Sequence, residues 1–162
     1  MPIPDDFHEE CLYSKEAWFI SDVLEMDREN LRLVCEVDTT NLGPIVDAQR
    51  TFPGHDKHLP GAVAVQLTGT LAGILAAYCM DMRPSQGWVG FGTHIHHAKF
   101  PTMGIIGPPV QAAVDVLKRR HFRGTTFVRY RYEYTQEDRT VYLAEHSAAW
   151  FQSEHRGPLG DH

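Results

Sequence analysis

Hydrophobic positions along the chain follow two different periods. From Ala62 to Met80 almost every residue is apolar, reading Ala-Val-Ala-Val-Gln-Leu-Thr-Gly-Thr-Leu-Ala-Gly-Ile-Leu-Ala-Ala-Tyr-Cys-Met. A run of this length without alternation predicts one helix that is apolar on every side. Elsewhere apolar and polar residues alternate, the period of strands with one covered face. Leu31, Leu33, Cys35 and Val37 mark a strand over residues 31–39, preceded by one over residues 18–27. Asp27-Arg28-Glu29-Asn30 is the turn between them. After the helix, residues 88–92 and 93–100 predict one broken strand, and residues 110–120 a long one. Residues 125–135 alternate Phe127, Arg129 and Arg131 with Val128, Tyr130, Tyr132 and Tyr134, which predicts a packed tyrosine face. Gln136-Glu137-Asp138-Arg139 predicts a turn. Residues 140–151 close the set, with Val141, Leu143 and Ala149 on one face and Ala144, Ala148 and Trp150 on the other. Residues 1–15 are expected to be irregular or a short helix, residues 41–60 a loop, and the tail 152–162 polar and loose. A strand pair, one long helix and three or more antiparallel strands make an α+β plan. It fits one domain over residues 1–162, with its core at about 16–151.

The apolar run approaches the roughly 20 residues that cross a bilayer. Gln66, Thr68, Gly69, Thr70 and Gly73 interrupt it, and paired aromatic or basic flanks are missing, so a helix at the centre of a wrapped sheet is expected instead. The 162 residues, 43% hydrophobic and 22% charged, suffice for a sizeable core. Cys11, Cys35 and Cys79 are odd in number, far apart and never in a Cys-x-x-Cys pair. This excludes a disulfide framework or zinc knuckle and points to a reducing compartment. The opening Met1-Pro2-Ile3-Pro4-Asp5-Asp6 has neither the basic nor the apolar part of a secretory signal, so a cytoplasmic protein without a membrane segment is expected.

The net charge of −6 is unevenly spread: residues 1–60 hold 13 acidic and 5 basic groups, the remainder 8 and 10. The basic groups gather at Lys118, Arg119, Arg120, Arg123, Arg129 and Arg131. Such a cluster suits phosphates or an acidic carrier protein, and equally a solvated hairpin edge. Nucleic acid is excluded as the main partner of an acidic chain without a recognition motif.

Candidate chemistry gathers just before the helix, in Thr51-Phe52-Pro53-Gly54-His55-Asp56-Lys57-His58-Leu59-Pro60-Gly61. Backbone N–H groups at a helix start are unpaired and electropositive, so those of Gly61 and Ala62 suit the oxygen of a polarised carbonyl. His55 and His58 are the candidate acid/base groups, since imidazole exchanges protons near neutrality. His55 is favoured because Asp56 or Asp47 could orient it, and Asp56 is also a candidate base. His94-Ile95-His96-His97 places His94 and His96 on one strand face, the geometry of a two-histidine pair. A metal centre normally needs three or four ligands, and none complete the set nearby, so neither a metal nor another cofactor is expected.

In this order of elements the sequence resembles the hotdog-fold superfamily, and more narrowly the β-hydroxyacyl-acyl-carrier-protein dehydratases. The residues that carry the likeness are Trp18-Phe19-Ile20-Ser21-Asp22-Val23-Leu24-Glu25-Met26, Phe52-Pro53-Gly54 with Leu59-Pro60-Gly61, and Ala98-Lys99-Phe100 with Gly107-Pro108 and Val114-Asp115-Val116-Leu117-Lys118-Arg119-Arg120. The resemblance implies a curved sheet around one helix and a homodimer whose two sites are shared between chains. It also implies an acyl thioester of carrier protein or coenzyme A as substrate. Both catalytic positions of the dehydratases are replaced: Thr51 stands where a histidine precedes Phe-Pro-Gly, and Gln66 where an acid follows the second Pro-Gly. An amide cannot act as general acid, although it can hold a hydroxyl, a water or a carbonyl. The implied catalytic set is therefore His55, His58, Asp56 and Gln66, with Gly61, Ala62, Thr51 and His96, the last at a tunnel mouth, contacting substrate. The implied activity is a dehydratase-like lyase. Hydrolysis of the thioester, addition to an enoyl thioester, and a non-catalytic acyl-binding or heterodimer partner are the alternatives.

Overall fold

The computed structural model describes residues 2–153. In chain order the helices are α1 (Phe7–Glu10), α2 (Pro44–Asp47) and α3 (Gly61–Cys79). The strands are β1 (Asp22–Asp27), β2 (Arg32–Val37), β3 (Trp88–Lys99), β4 (Val110–Phe122), β5 (Thr125–Gln136) and β6 (Arg139–Gln152). All six form one antiparallel sheet in the order β1-β2-β4-β5-β6-β3. Most of the polar tail lies outside the described residues, from 154 onward.

The sheet packs its inner face on α3. Alternation on β5 sends Val128, Tyr130, Tyr132 and Tyr134 inward, and on β6 Tyr142, Ala144, His146, Ala148 and Trp150 are buried. On α3 the buried positions include Val63, Ala64, Leu67, Leu71, Ile74, Leu75 and Tyr78. This helix is long and apolar enough to cross a membrane, but its buried flank makes it the core of the domain. Burying apolar surface contributes roughly 25 cal/mol per Å², which outweighs the helix-weakening glycines Gly69 and Gly73.

Two local features depart from the alternation. The first strand begins at Asp22 rather than residue 18, because residues 15–17 form a single 3-10 turn and Phe19 takes a positive φ of 62°. Trp18 is thereby turned into the core, 4.6 Å from the Phe7 ring. The broken strand over residues 88–100 is continuous in β3 but carries two bulges, at Gly92/His94 and Ile95/His97. Each bulge bends the strand and resets which face its side chains occupy. Tight turns close the last two hairpins: Arg123-Gly124 (φ 49° and 76°) and Glu137-Asp138 (φ 48° and 60°). Both are the left-handed pairs that match the twist of flanking strands.

Candidate functional site

Loop 51–60 reaches α3 through Pro60, whose side chain has no group to cap the helix. The Pro60 carbonyl accepts the N–H groups of Val63 (3.0 Å) and Ala64 (3.2 Å), whereas those of Gly61 and Ala62 have no partner among the described residues. Two orphan donors at the positive end of a 19-residue helix are thus available to an oxygen.

A cavity of about 340 Å³ opens beside them, lined by His58, Gly61, Ala64, Phe100, Met103 and Val141, among others. The Phe100 ring lies over Gly61, so that a Cβ there would stand 3.2 Å from its Cζ. Phe100 also rests against Tyr142, with ring centroids 5.1 Å apart, and remains half open to solvent. It forms a wall above the helix start.

The two loop histidines take different positions. His55 is exposed, its ring 5.1 Å from that of His58. His58 lines the cavity, and its Nδ1 is buried with no partner among the described residues. Neither Asp56 nor Asp47 hydrogen-bonds an imidazole; Asp56 is exposed, and the Asp47 carbonyl instead accepts from Lys57 Nζ (3.0 Å). The orientation expected for His55 is therefore not made.

What fixes His58 is its backbone. Its N–H donates to Gln49 Oε1 (3.0 Å) and its carbonyl accepts from Gln49 Nε2 (2.8 Å), a two-point clamp. Its neighbour Leu59 donates to the Gly104 carbonyl (2.9 Å). The segment around Gly104 is pinned in turn by Gln136, 2% exposed at the end of β5. Gln136 Nε2 donates to the carbonyls of Ile105 (2.8 Å) and Pro108 (2.7 Å), and its Oε1 accepts from the Ile105 N–H (2.8 Å). A buried glutamine with its hydrogen bonds made is a rigid anchor. Gln49, Phe100 and Gln136 escape sequence reasoning because they lie 9, 42 and 78 residues from His58.

The remaining candidates spread outward. Gln66 is half-buried on α3, and its amide has no partner among the described residues. Thr51 is exposed at the loop entrance. His96 does not share the Gly61 cavity: it stacks on His94 at 5.8 Å and bonds Ser147 Oγ (2.7 Å) on the outer sheet face, beside Lys118 and Arg120. There it lies in an open groove of about 660 Å³, so within one chain it marks no mouth of the Gly61 cavity. In the basic cluster, Arg129 pairs with Glu145 (2.6 Å) and Arg131 with Asp115 (3.3 Å). These two arginines thus act as cross-strand partners.

No protein-family model and no curated protein matches this sequence. Solved structures do match in shape. The dehydratase heterocomplex ApeI:P from Xenorhabdus doucetiae aligns with a TM-score of 0.64 at 12% identity, covering 89% of this chain and 88% of that one. A thioesterase from Haemophilus influenzae aligns with a TM-score of 0.62 at 15% identity, over 100% of this chain and 96% of that one. A hypothetical thioesterase with coenzyme A from Streptococcus pneumoniae gives 0.55 at 13% identity, over 81% and 85%. Shared at this depth of sequence divergence, and over nearly the whole chain, the single antiparallel sheet around one long helix is the hotdog fold.

Proposed function

We propose that this protein is an enzyme acting on an acyl thioester of coenzyme A or a carrier protein, and that its reaction is dehydration of a 3-hydroxyacyl thioester. The observation that carries the proposal is the pair of unpartnered N–H groups at Gly61 and Ala62, opening beside a cavity that His58 enters. In this reading both N–H groups donate to the thioester oxygen, and each such donor contributes about 10²–10³ in rate. Polarising that carbonyl acidifies the α-carbon. His58 takes the α-proton and delivers it to the β-hydroxyl, which leaves as water while the C2–C3 double bond forms. The Gln66 amide holds the departing hydroxyl, with His55 and Asp56 exchanging protons with solvent at the rim and Thr51 lining the entry. The similar folds of a dehydratase and a thioesterase support the substrate class.

Hydrolysis is the second reading, favoured by one observation: among the described residues no carboxylate lines the cavity, and the amide of Gln66 has no partner. There Gln66 places a water against the polarised carbonyl, His58 accepts the water proton, and the thiolate leaves with it.

The working unit in this proposal is a homodimer. Strand β3 ends the sheet as a 12-residue edge with unpaired backbone on one side, and carries Ile95 at 55% exposure. Long bare edges pair with another chain unless blunted. A second copy pairing there would also carry its His96 toward this chain's neighbouring surface.

Incubation with 3-hydroxyacyl, enoyl and saturated acyl thioesters separates the readings. Enoyl absorbance supports the lyase, free thiol the hydrolase, and an adduct mass conjugate addition. Retained acyl binding with none of these products supports a non-catalytic partner and refutes the enzyme.

A further inference from the structure

The end of the β4–β5 hairpin carries charge that the rest of the fold does not use. On β4, Val110, Ala112 and Val114 turn inward, but from Leu117 to Arg123 every residue is exposed, reading Leu-Lys-Arg-Arg-His-Phe-Arg. A strand segment open on both faces adds little to a core. Backbone pairing with β5 nevertheless runs on to Phe122 and Thr125, where Arg123-Gly124 turns the chain. The tip is thus held in shape by its ladder while its β4 side chains meet solvent.

Between Asp115 and Glu133 the sequence has no acidic residue. Arg129 and Arg131 find carboxylates on neighbouring strands, Glu145 and Asp115. Lys118, Arg119, Arg120 and Arg123 have no ion pair among the described residues. These four cations stand on a chain of net charge −6, whose first 60 residues hold 13 acidic and 5 basic groups. A negatively charged surface therefore attracts this end of the molecule and repels the rest.

Apolar side chains are interleaved with the cations. Phe122 is 51% exposed, Leu117 44% and Phe127 40%. The Arg123 and Arg120 guanidinium groups lie 5.1 and 6.0 Å from the centre of the Phe122 ring. Arg120 also stands opposite Phe127 in the ladder, and Lys118, Arg120, Phe122 and Phe127 share the outer face of the sheet. Cations alone fit any phosphate, but a dissolved phosphate offers the rings nothing. At a bilayer surface both groups are satisfied: the cations reach headgroup phosphates while an aromatic ring enters the boundary with the acyl chains.

Position separates this surface from the carbonyl site. The tip ends beside Phe151, which pairs with Thr125, whereas the Gly61 cavity is lined by Val141 at the other end of β6. At about 3.4 Å per residue the two are roughly 30 Å apart within one chain. We infer that the β4–β5 tip docks this protein on an anionic lipid surface, with Lys118, Arg119, Arg120 and Arg123 at the level of the phosphates and Phe122 inserted between headgroups. This is contact with a surface and not a span, since α3 remains in the core. It does not depend on the reaction at Gly61.

The test sediments the full chain with vesicles of phosphatidylcholine alone or mixed with phosphatidylserine. Binding is expected on the mixed vesicles and not on phosphatidylcholine. It should be lost between about 0.1 M and about 1 M salt, as the screening length falls from about 10 Å to about 3 Å. Each Lys or Arg near such a surface contributes about fivefold in affinity, so Arg120→Gln with Arg123→Gln should weaken binding about 25-fold. Phe122→Ala should weaken it about tenfold, and free phosphoserine at equal phosphate should not compete. Equal binding to both vesicle types, no binding to either, persistence at high salt, or unaltered binding of Phe122→Ala would overturn the inference. So would competition by phosphoserine, or capture by polyglutamate as strong as by the mixed vesicles, which would mark a dock for an acidic protein. The comparison of vesicles on the unaltered chain decides the matter even if a variant does not fold.

Discussion

The two ends of α3 are treated in opposite ways. Near Cys79 several polar groups are paired: the Met80 and Met82 N–H groups bond the Ala76 carbonyl, and Tyr78 donates to Asp6 (2.7 Å). Arg83 bridges Asp6 (2.8 Å) and the buried Glu10 (3.3 Å), and Ser85 adds two hydrogen bonds to Glu10. At Gly61 two N–H groups and the buried His58 Nδ1 have no partner among the described residues, beside a cavity. The networked end belongs to folding; the open end holds binding potential that a cap would quench. Substitutions at the two ends should therefore separate stability from activity.

The largest effect is expected at the open end. His58→Ala should lower kcat/KM on the active thioester by at least about 100-fold, the lower bound for a lost acid/base group, with the melting temperature little changed. His55→Ala should stay within about fivefold, because a solvent-exposed imidazole is replaceable by buffer. Full activity in His58→Ala would remove this residue from the chemistry.

Next comes the closed end. Arg83→Met leaves the Glu10 carboxylate, 4% exposed, with only Ser85. The expected cost is about 1–3 kcal/mol, read as a drop of several degrees in melting temperature with kcat preserved. Its pH dependence sharpens the contrast. Burial raises the Glu10 pKa, but the Ser85 hydrogen bonds and Arg83 outweigh it, so the carboxyl lies below its ordinary value. Asp6 is lowered as well, chiefly by Tyr78 and Arg83. With folded pKa values depressed, the unfolded chain binds more protons in the acid range. This stability is thus complete above the ordinary carboxylate pKa and is lost as pH falls through the lower folded values. The difference in melting temperature between wild type and Arg83→Met should shrink on acidification from neutral pH. A constant difference would mean that the network is not ionic.

The smallest effect probes the scaffold of the open end. Gln49→Ala removes both hydrogen bonds that hold the His58 backbone, and should cost about fivefold to tenfold in kcat with little change in KM. An unchanged kcat would show that Leu59 and Gly104 position the loop by themselves.

The sheet and helix are legible in the sequence because burial imposes their periods directly: alternation on β5 and β6, and an unbroken apolar run on α3. The start of β1 is not, since Trp18 and Phe19 look like strand residues, while packing against Phe7 turns them out of the ladder. The loop before α3 is marked by its Pro-Gly pairs and histidines, so the neighbourhood of the site is readable. Which histidine enters the cavity depends on Gln49, Gly104 and Gln136, contacts that no local pattern encodes. The outward turn of His96 follows from a bulge in β3 that shifts side-chain parity. The Asp6–Arg83–Glu10 cluster joins the N-terminal segment, which reads as irregular or a short helix, to a residue more than 70 positions away.

The most direct measurement follows backbone amide NMR shifts while the protein is titrated with a non-cleavable acyl thioester analogue whose sulfur is replaced by methylene. The Gly61 and Ala62 protons should move downfield as they bond the ketone oxygen, while Met80 and Met82 at the closed end stay in place. Binding that leaves the Gly61 and Ala62 amides unmoved would contradict the claim that the start of α3 grips the carbonyl.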